Sequence, residues 1–191
     1  MENYENQNSV ELLLNEIDKS TEHKQYLIAL FSALTVPDIL GKVKYPNARG
    51  NEERYINWFN ENIKDSFEAI LGIENTVKMD GKACFRLRNA LLHGGGNVLN
   101  SNPKIDEFVL SFGDEDFVRG NYAGNYYSLD QWNPETGEAP QIKYLYISCK
   151  ELCRKIVVAA REFIRNNPDL DYPTVRMNNG GGRINKCLIG K

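Results

Sequence analysis

The chain has 191 residues, 41% hydrophobic and 26% charged, with 23 Lys and Arg against 26 Asp and Glu for a net charge of −3. That composition excludes a disordered chain and supplies a full core without a disulfide or metal staple. It also excludes global attraction of nucleic acid, so such a ligand has to be held by a local basic patch.

The length is that of a single domain over residues 1–191 that carries an insertion. The opening Met1-Glu2-Asn3-Tyr4-Glu5-Asn6 lacks an apolar h-region, so no secretory signal is expected. No run of about 18 apolar residues occurs, which argues against a membrane span and for a chain with no membrane partner. Cys84, Cys149, Cys153 and Cys187 are too sparse for a disulfide framework and are expected as reduced thiols of a cytoplasmic protein.

Residues 1–8 read as a polar lead-in. From Ser9, a candidate N-cap, Val10, Leu13, Leu14 and Ile17 recur at helical spacing. A second helix over about 21–34 is apolar nearly all round, which predicts the most buried position in the fold. Pro37, Gly41 and Pro46 are expected to end it in a loop. A third, amphipathic helix is predicted from about Glu52 to Leu71, with Tyr55, Ile56, Phe59, Ile63, Phe67 and Ile70 on one side and Gly72 as its C′ residue. A fourth runs from about Asp80 to Leu92 and stops at Gly94-Gly95-Gly96.

The period then changes to two. Phe108, Leu110 and Phe112 alternate with Val109, Ser111 and Gly113, and Ile142, Tyr144 and Tyr146 alternate with Lys143, Leu145 and Ile147. Asn133-Pro134-Glu135-Thr136-Gly137 is turn chemistry between these strands, and shorter pieces are expected near Phe117–Val118 and Tyr126–Leu129. Residues 97–147 are thus expected as an antiparallel β excursion. A fifth helix follows from about Ser148 to Asn166, ended by Pro168, and residues 169–191 read as a loosely ordered tail. The fold class that emerges is mainly α: an up-and-down bundle of four to five helices, over 9–93 and 148–166, with a β-hairpin or small sheet inserted before the last long helix.

Chemistry concentrates on the fourth helix, in Arg88-Asn89-Ala90-Leu91-Leu92-His93. Between Lys78 and His93 the cations Lys78, Lys82, Arg86 and Arg88 face a single Asp80, which makes this the most basic helix of an acidic protein. Lys82 and Arg86 are therefore candidate RNA-phosphate contacts. Metal-independent RNA cleavage needs a group to take the 2′-OH proton, a group to protonate the leaving 5′-oxygen, and a cation facing the phosphorane. Histidine suits proton transfer and arginine the phosphate. Asn89 and His93, four apart, share a face, so the amide could orient the imidazole. Arg88, five before His93, lies about 140° round an ideal helix, a splay that a two-fold dimer would resolve. The plainer reading stands beside this one: a histidine at a helix C-terminus is favoured by the macrodipole alone, and the glycines are a C-cap.

This stretch resembles the Arg-x(4–6)-His motif of the HEPN superfamily, with a four-residue gap and the Asn that often follows the Arg. The resemblance covers the helical frame as well as the motif. It implies a dimeric helical bundle with the motif at the interface, no cofactor, and RNA as substrate. Arg88, Asn89 and His93 would be the catalytic residues. It also implies a role in toxin–antitoxin, abortive-infection or CRISPR-associated defence, where some members pair with a nucleotidyltransferase antitoxin. The chain departs from the family in its β excursion and in lacking a Tyr close behind His93. The alternative is a non-catalytic dimer of this type that binds a nucleotide or a protein partner.

Other patterns carry less. His93-Gly94-Gly95-Gly96 matches an esterase oxyanion-hole sequence, but no G-x-S-x-G elbow exists. Cys149 and Cys153 share a helical face, but a zinc site needs two further ligands, for which Cys84, Cys187, His23 and His93 are the only obvious donors, and the pair reads rather as small core residues. His23 reads as a surface residue. Asp114-Glu115-Asp116 and Asp169–Asp171 lack calcium-loop spacing. The aromatic residues Tyr122, Tyr126, Tyr127, Trp132, Tyr144 and Tyr146 are expected as cross-strand packing more than as a base-stacking platform.

Overall fold

The computed structural model describes residues 4–63, 79–93, 107–112, 123–130 and 141–178. The protein is mainly helical, a bundle with a small sheet between the motif helix and the last long helix. In chain order its elements are β1 (Tyr4–Asn8), α1 (Ser9–Glu22), α2 (Tyr26–Ala33), α3 (Val36–Lys44), α4 (Asn51–Asn62), α5 (Gly81–His93), β2 (Glu107–Ser111), β3 (Ala123–Asp130), β4 (Gln141–Ser148), α6 (Cys149–Asn166) and β5 (Thr174–Asn178).

Helix α1 buries the expected stripe Val10, Leu14 and Ile17. Its cap is Asn8, whose Oδ1 accepts from the backbone N–H groups of Val10 and Glu11, and Ser9 instead donates its hydroxyl to the Pro173 carbonyl. Lys24, at φ 60°, reverses the chain into α2. The expected all-round burial of the second helix does not occur. Tyr26, Ala29, Leu30 and Ala33 are buried, but Leu27 and Ile28 are 43% and 57% exposed, because this eight-residue helix packs only its inner side on α1 and α6.

Pro37 starts a helix where a loop was expected. It occupies the first turn of α3, where its fixed φ suits the helix and its missing N–H costs no bond. The Tyr26–Lys44 stretch is apolar and long enough to cross a bilayer by composition. Half of it is buried inside the bundle, and the turn at Leu34 and Thr35 divides it.

Trp58, Tyr55 and Phe59 of α4 are fully buried, with the Trp58 ring edge-on to Phe163 of α6. The predicted continuation of this helix to Leu71, with Phe67, Ile70 and Gly72, lies outside the described residues. Helix α5 packs closely on α4. A Cβ added at Gly81 would stand 2.5 Å from the Ile56 carbonyl oxygen, and the Gly81 N–H donates to Asn60 Oδ1 at 2.8 Å. Asp80 Oδ1 accepts from the Ala83 N–H and caps α5, as the Ser148 hydroxyl caps α6 through Glu151 N. Helix α6 buries a continuous face through Leu152, Ile156, Val157, Ala160 and Phe163.

The sheet has the order β2-β4-β3. β3 and β4 pair antiparallel, with Tyr127 opposite Tyr144, whereas β2, expected as an antiparallel partner of β4, runs parallel to it. The reason is topological: three strands alternate in direction and the last is inserted between the first two, so the outer first strand must run with it. Phe108 is buried and Phe112, just past β2, is 45% exposed. The expected Phe117–Val118 strand, the Asn133–Gly137 turn, the Asp114–Asp116 acids and Gly94–Gly96 fall outside the described residues.

Two further segments also depart from expectation. Residues 4–8, read as part of a polar lead-in, form β1, and residues 174–178 of the tail form β5. The two pair antiparallel, from Tyr4 opposite Asn178 to Asn8 opposite Thr174.

Candidate functional site

Helix α5 turns Ala83, Cys84 and Leu87 into the core, which leaves Arg88 at the edge of the buried face and His93 exposed at the helix end. Helix α3 crosses nearby with Asp38 in its first turn. Arg88 Nη2 lies 2.5 Å from Asp38 Oδ2, and the two side chains are only 16% and 15% exposed. Arg88 Nη1 donates to Asn89 Oδ1 at 2.9 Å and lies 3.5 Å from His93 Nε2. The guanidinium is thus held between a carboxylate and an amide oxygen with its outer edge against an exposed imidazole. Among the described residues, Arg88 Nε and Asp38 Oδ1 are buried with no hydrogen-bond partner.

The underside of the guanidinium is aromatic. Arg88 Cζ lies 5.9 Å from the Phe85 ring centroid, and Phe85 packs edge-on to Tyr55 at 5.3 Å. The Tyr55 hydroxyl and Cys84 Sγ are 3.2 Å apart. Burial pushes the Tyr55 phenol well up, with smaller upward contributions from Cys84 and the Asp38 charge and an opposing one from Arg88. Burial likewise pushes the Cys84 thiol up to about 12. These groups stay neutral and form an inert base for the ion pair.

The sequence-based expectations are met unevenly. The 140° splay between Arg88 and His93 is closed by the length of the arginine side chain, so their contact is made within one chain. Asn89 accepts its hydrogen bond from Arg88 and not from His93. Lys82 is exposed and Arg86 half-buried, and with Asn89 and His93 they follow steps of four, three and four residues, one stripe of the helix. The local positive charge is smaller than the sequence implies, because Asp38 neutralises Arg88. Asp38 was not among the expected site residues. The available signal was an acid directly after a proline, the composition of a helix first turn.

His23 is exposed, with Nδ1 2.7 Å from the Lys19 carbonyl, as a surface residue should be. Cys84, Cys149 and Cys153 are free, buried thiols. Among the described residues no group of three or more His, Cys, Asp or Glu side chains could hold a metal ion. No protein-family model matches the chain, and no curated protein or solved structure does.

Proposed function

We propose that the protein is a HEPN-type, metal-independent endoribonuclease that works as a homodimer in the cytoplasm. The observation that supports this best is the 3.5 Å approach of Arg88 Nη1 to His93 Nε2, with the guanidinium already oriented by Asp38 and Asn89. An arginine fixed beside an exposed imidazole is the pair that in-line 2′-OH attack requires.

In this reaction the 2′-oxygen of the ribose attacks phosphorus while its proton passes to one imidazole. The bond from phosphorus to the 5′-oxygen breaks, and that oxygen takes a proton from a second imidazole. The products are a 2′,3′-cyclic phosphate and a free 5′-hydroxyl. Arg88 still has N–H groups beyond those bound to Asp38 and Asn89, and these face the charge that grows on the phosphoryl oxygens. One chain offers one imidazole beside Arg88, so a second copy meeting it at α5 supplies the other. Lys82 and Arg86, on the stripe that ends at His93, hold flanking phosphates. The biological setting that suits such an activity is toxin–antitoxin or anti-phage defence, with a protein antitoxin as restraining partner.

Purified protein is expected to cut single-stranded RNA equally in EDTA and in magnesium, leaving 2′,3′-cyclic ends. His93→Ala and Arg88→Ala should each reduce cleavage by about a hundredfold or more. Full activity in both variants rejects the reading.

The same ion pair favours a second reading. An arginine neutralised by a partly buried aspartate is also what a structural strut looks like. On that reading the protein is a non-catalytic dimer that binds a nucleotide or a protein partner, and Arg88→Ala would unfold it without touching any chemistry.

A further inference from the structure

Asp38 and Arg88 are carried by two helices that both dock on α4. Helix α3 is seated there at Gly41, where an added Cβ would stand 2.7 Å from the Arg54 carbonyl oxygen. Helix α5 is seated at Gly81, where one would stand 2.5 Å from the Ile56 carbonyl oxygen. Within α3, Asp38 lies in the first turn. Its backbone N–H donates to the Thr35 carbonyl at 3.1 Å, and the preceding Val36 and Pro37 are buried. The carboxylate is therefore presented to the guanidinium by backbone with little room to shift.

An arginine side chain carries five N–H donors. At Arg88, Nε is withdrawn from water without a partner among the described residues, and one Nη2 hydrogen goes to Asp38 Oδ2. Nη1 directs its hydrogens at Asn89 Oδ1, 2.9 Å away, and at His93 Nε2, 3.5 Å away. Arginine cannot accept, so His93 Nε2 is the acceptor in that contact and the ring proton sits on Nδ1. A ligand is left the second Nη2 hydrogen and, once it displaces the imidazole, the Nη1 hydrogen that faces His93.

We propose that Asp38 is a positioning residue for RNA cleavage: it fixes the guanidinium so that Arg88 meets one particular non-bridging oxygen of the scissile phosphate. The proposal rests on the ribonuclease reading for the reaction itself. The two non-bridging oxygens of a phosphodiester are stereochemically distinct. A guanidinium tied at Nη2 by Asp38 and at Nη1 by Asn89 favours one of them, whereas an arginine free to rotate reaches either. When the phosphate arrives, the imidazole gives up its contact with Nη1, and Nε2 is then free to take the 2′-OH proton. Asp38 acts throughout by way of Arg88.

The test uses the full chain and a single-stranded oligoribonucleotide with one phosphorothioate at the bond that wild type cuts, as separated Rp and Sp forms. In wild type, kcat/KM for the two forms is expected to differ by about tenfold or more. In Asp38→Ala that ratio should fall to about twofold, with kcat on the all-oxygen RNA lowered about a hundredfold. KM should not rise, because the cation remains and is no longer neutralised. The ratio is taken within one preparation, so it does not depend on how much of a variant is folded, and a merely structural role would slow both forms alike. Should Asp38→Ala fail to fold or to cut, Asp38→Asn carries the test. It keeps the shape and one acceptor oxygen but not the charge, and its ratio is expected at about threefold. A ratio that stays at the wild-type value in these variants overturns the proposal. Wild type that cuts both forms equally also overturns it and leaves the catalytic reading standing. Wild type that cuts no RNA overturns the catalytic reading and this proposal with it.

Discussion

Asp38 Oδ2 and Arg88 Nη2 are 2.5 Å apart, an ion pair that ties the first turn of α3 to the motif helix α5. Both side chains are largely withdrawn from water, so the pair behaves more like an interior contact than a surface one. Its two halves are unequal in consequence: removing one leaves a poorly solvated charge behind.

Asp38→Ala and Arg88→Ala are therefore each expected to destabilise the protein by about 2–4 kcal/mol. The double variant should lose markedly less than the sum, with a coupling of at least about 1 kcal/mol. Urea unfolding midpoints of the four proteins measure this directly. Additive losses would show that the two charges do not communicate.

Binding through Lys82 and Arg86 predicts a salt signature. Each phosphate contact to a single strand contributes about 0.7 to the slope of log affinity against log salt. Lys82→Ala and Arg86→Ala should each flatten that slope by about this amount, and the double variant by about twice as much. An unchanged slope removes these residues from the RNA contact.

The approach of α5 to α4 depends on a missing side chain. At Gly81 an added Cβ would meet Ile56 backbone atoms at 2.5 and 2.8 Å, and a helix backbone cannot yield as a side chain does. Gly81→Ala is expected to cost about 2 kcal/mol or more and to impair any function of α5. Gly50, whose Cβ would meet nothing within 4 Å, is the control and should cost under about 1 kcal/mol as alanine. Comparable midpoints for the two variants would count against the close packing.

Burial pushes the thiols of Cys84 and Cys149 up to about 12 and raises that of Cys153 as well. A thiol in the unfolded chain loses its proton at about 8.5, so the unfolded state releases protons first as pH rises. The stability these groups confer is complete below that value and declines as pH climbs toward 12. Ellman's reagent at pH 8 should leave the three unreacted in the native protein and reach them after urea unfolding. The urea midpoint should fall between pH 9 and 11, less steeply in Cys84→Ala. Rapid native labelling of these positions would contradict their burial.

Much of the helical frame was legible because it is written in local spacing. Val10, Leu14 and Ile17, or Leu152, Ile156 and Phe163, declare a buried face within three turns. What escaped depends on partners distant in sequence. Nothing in the polar run Tyr4–Asn8 announces a strand until Thr174–Asn178 arrives to pair with it. The direction of β2 depends on where β4 is inserted, which no pattern within β2 encodes. At Pro37 the ambiguity was local, since proline both ends and begins helices. Resolving it as a beginning would have placed Asp38 in a helix first turn. At the site, Arg88 and His93 were readable as residues, but the helical angle between them says little about where a flexible arginine reaches, and Asn89's partner follows from that reach.

The pairing of β1 with β5 has a kinetic consequence. Asn8 cannot meet Thr174 until the chain between them has been brought together, and closing so long a loop carries an entropic cost that two short strands offset poorly. The ribbon should therefore form late in folding and open early under native conditions. Hydrogen exchange at Tyr4–Asn8 and Thr174–Asn178 should be fast relative to α6. Ser9 and Pro173 adjoin this ribbon and also line, with Asp38, Ile39 and Tyr172, a groove of about 1010 Å³, so opening the ribbon would loosen one wall of that groove. The paired strands β1 and β5 would then act as the latch of that groove.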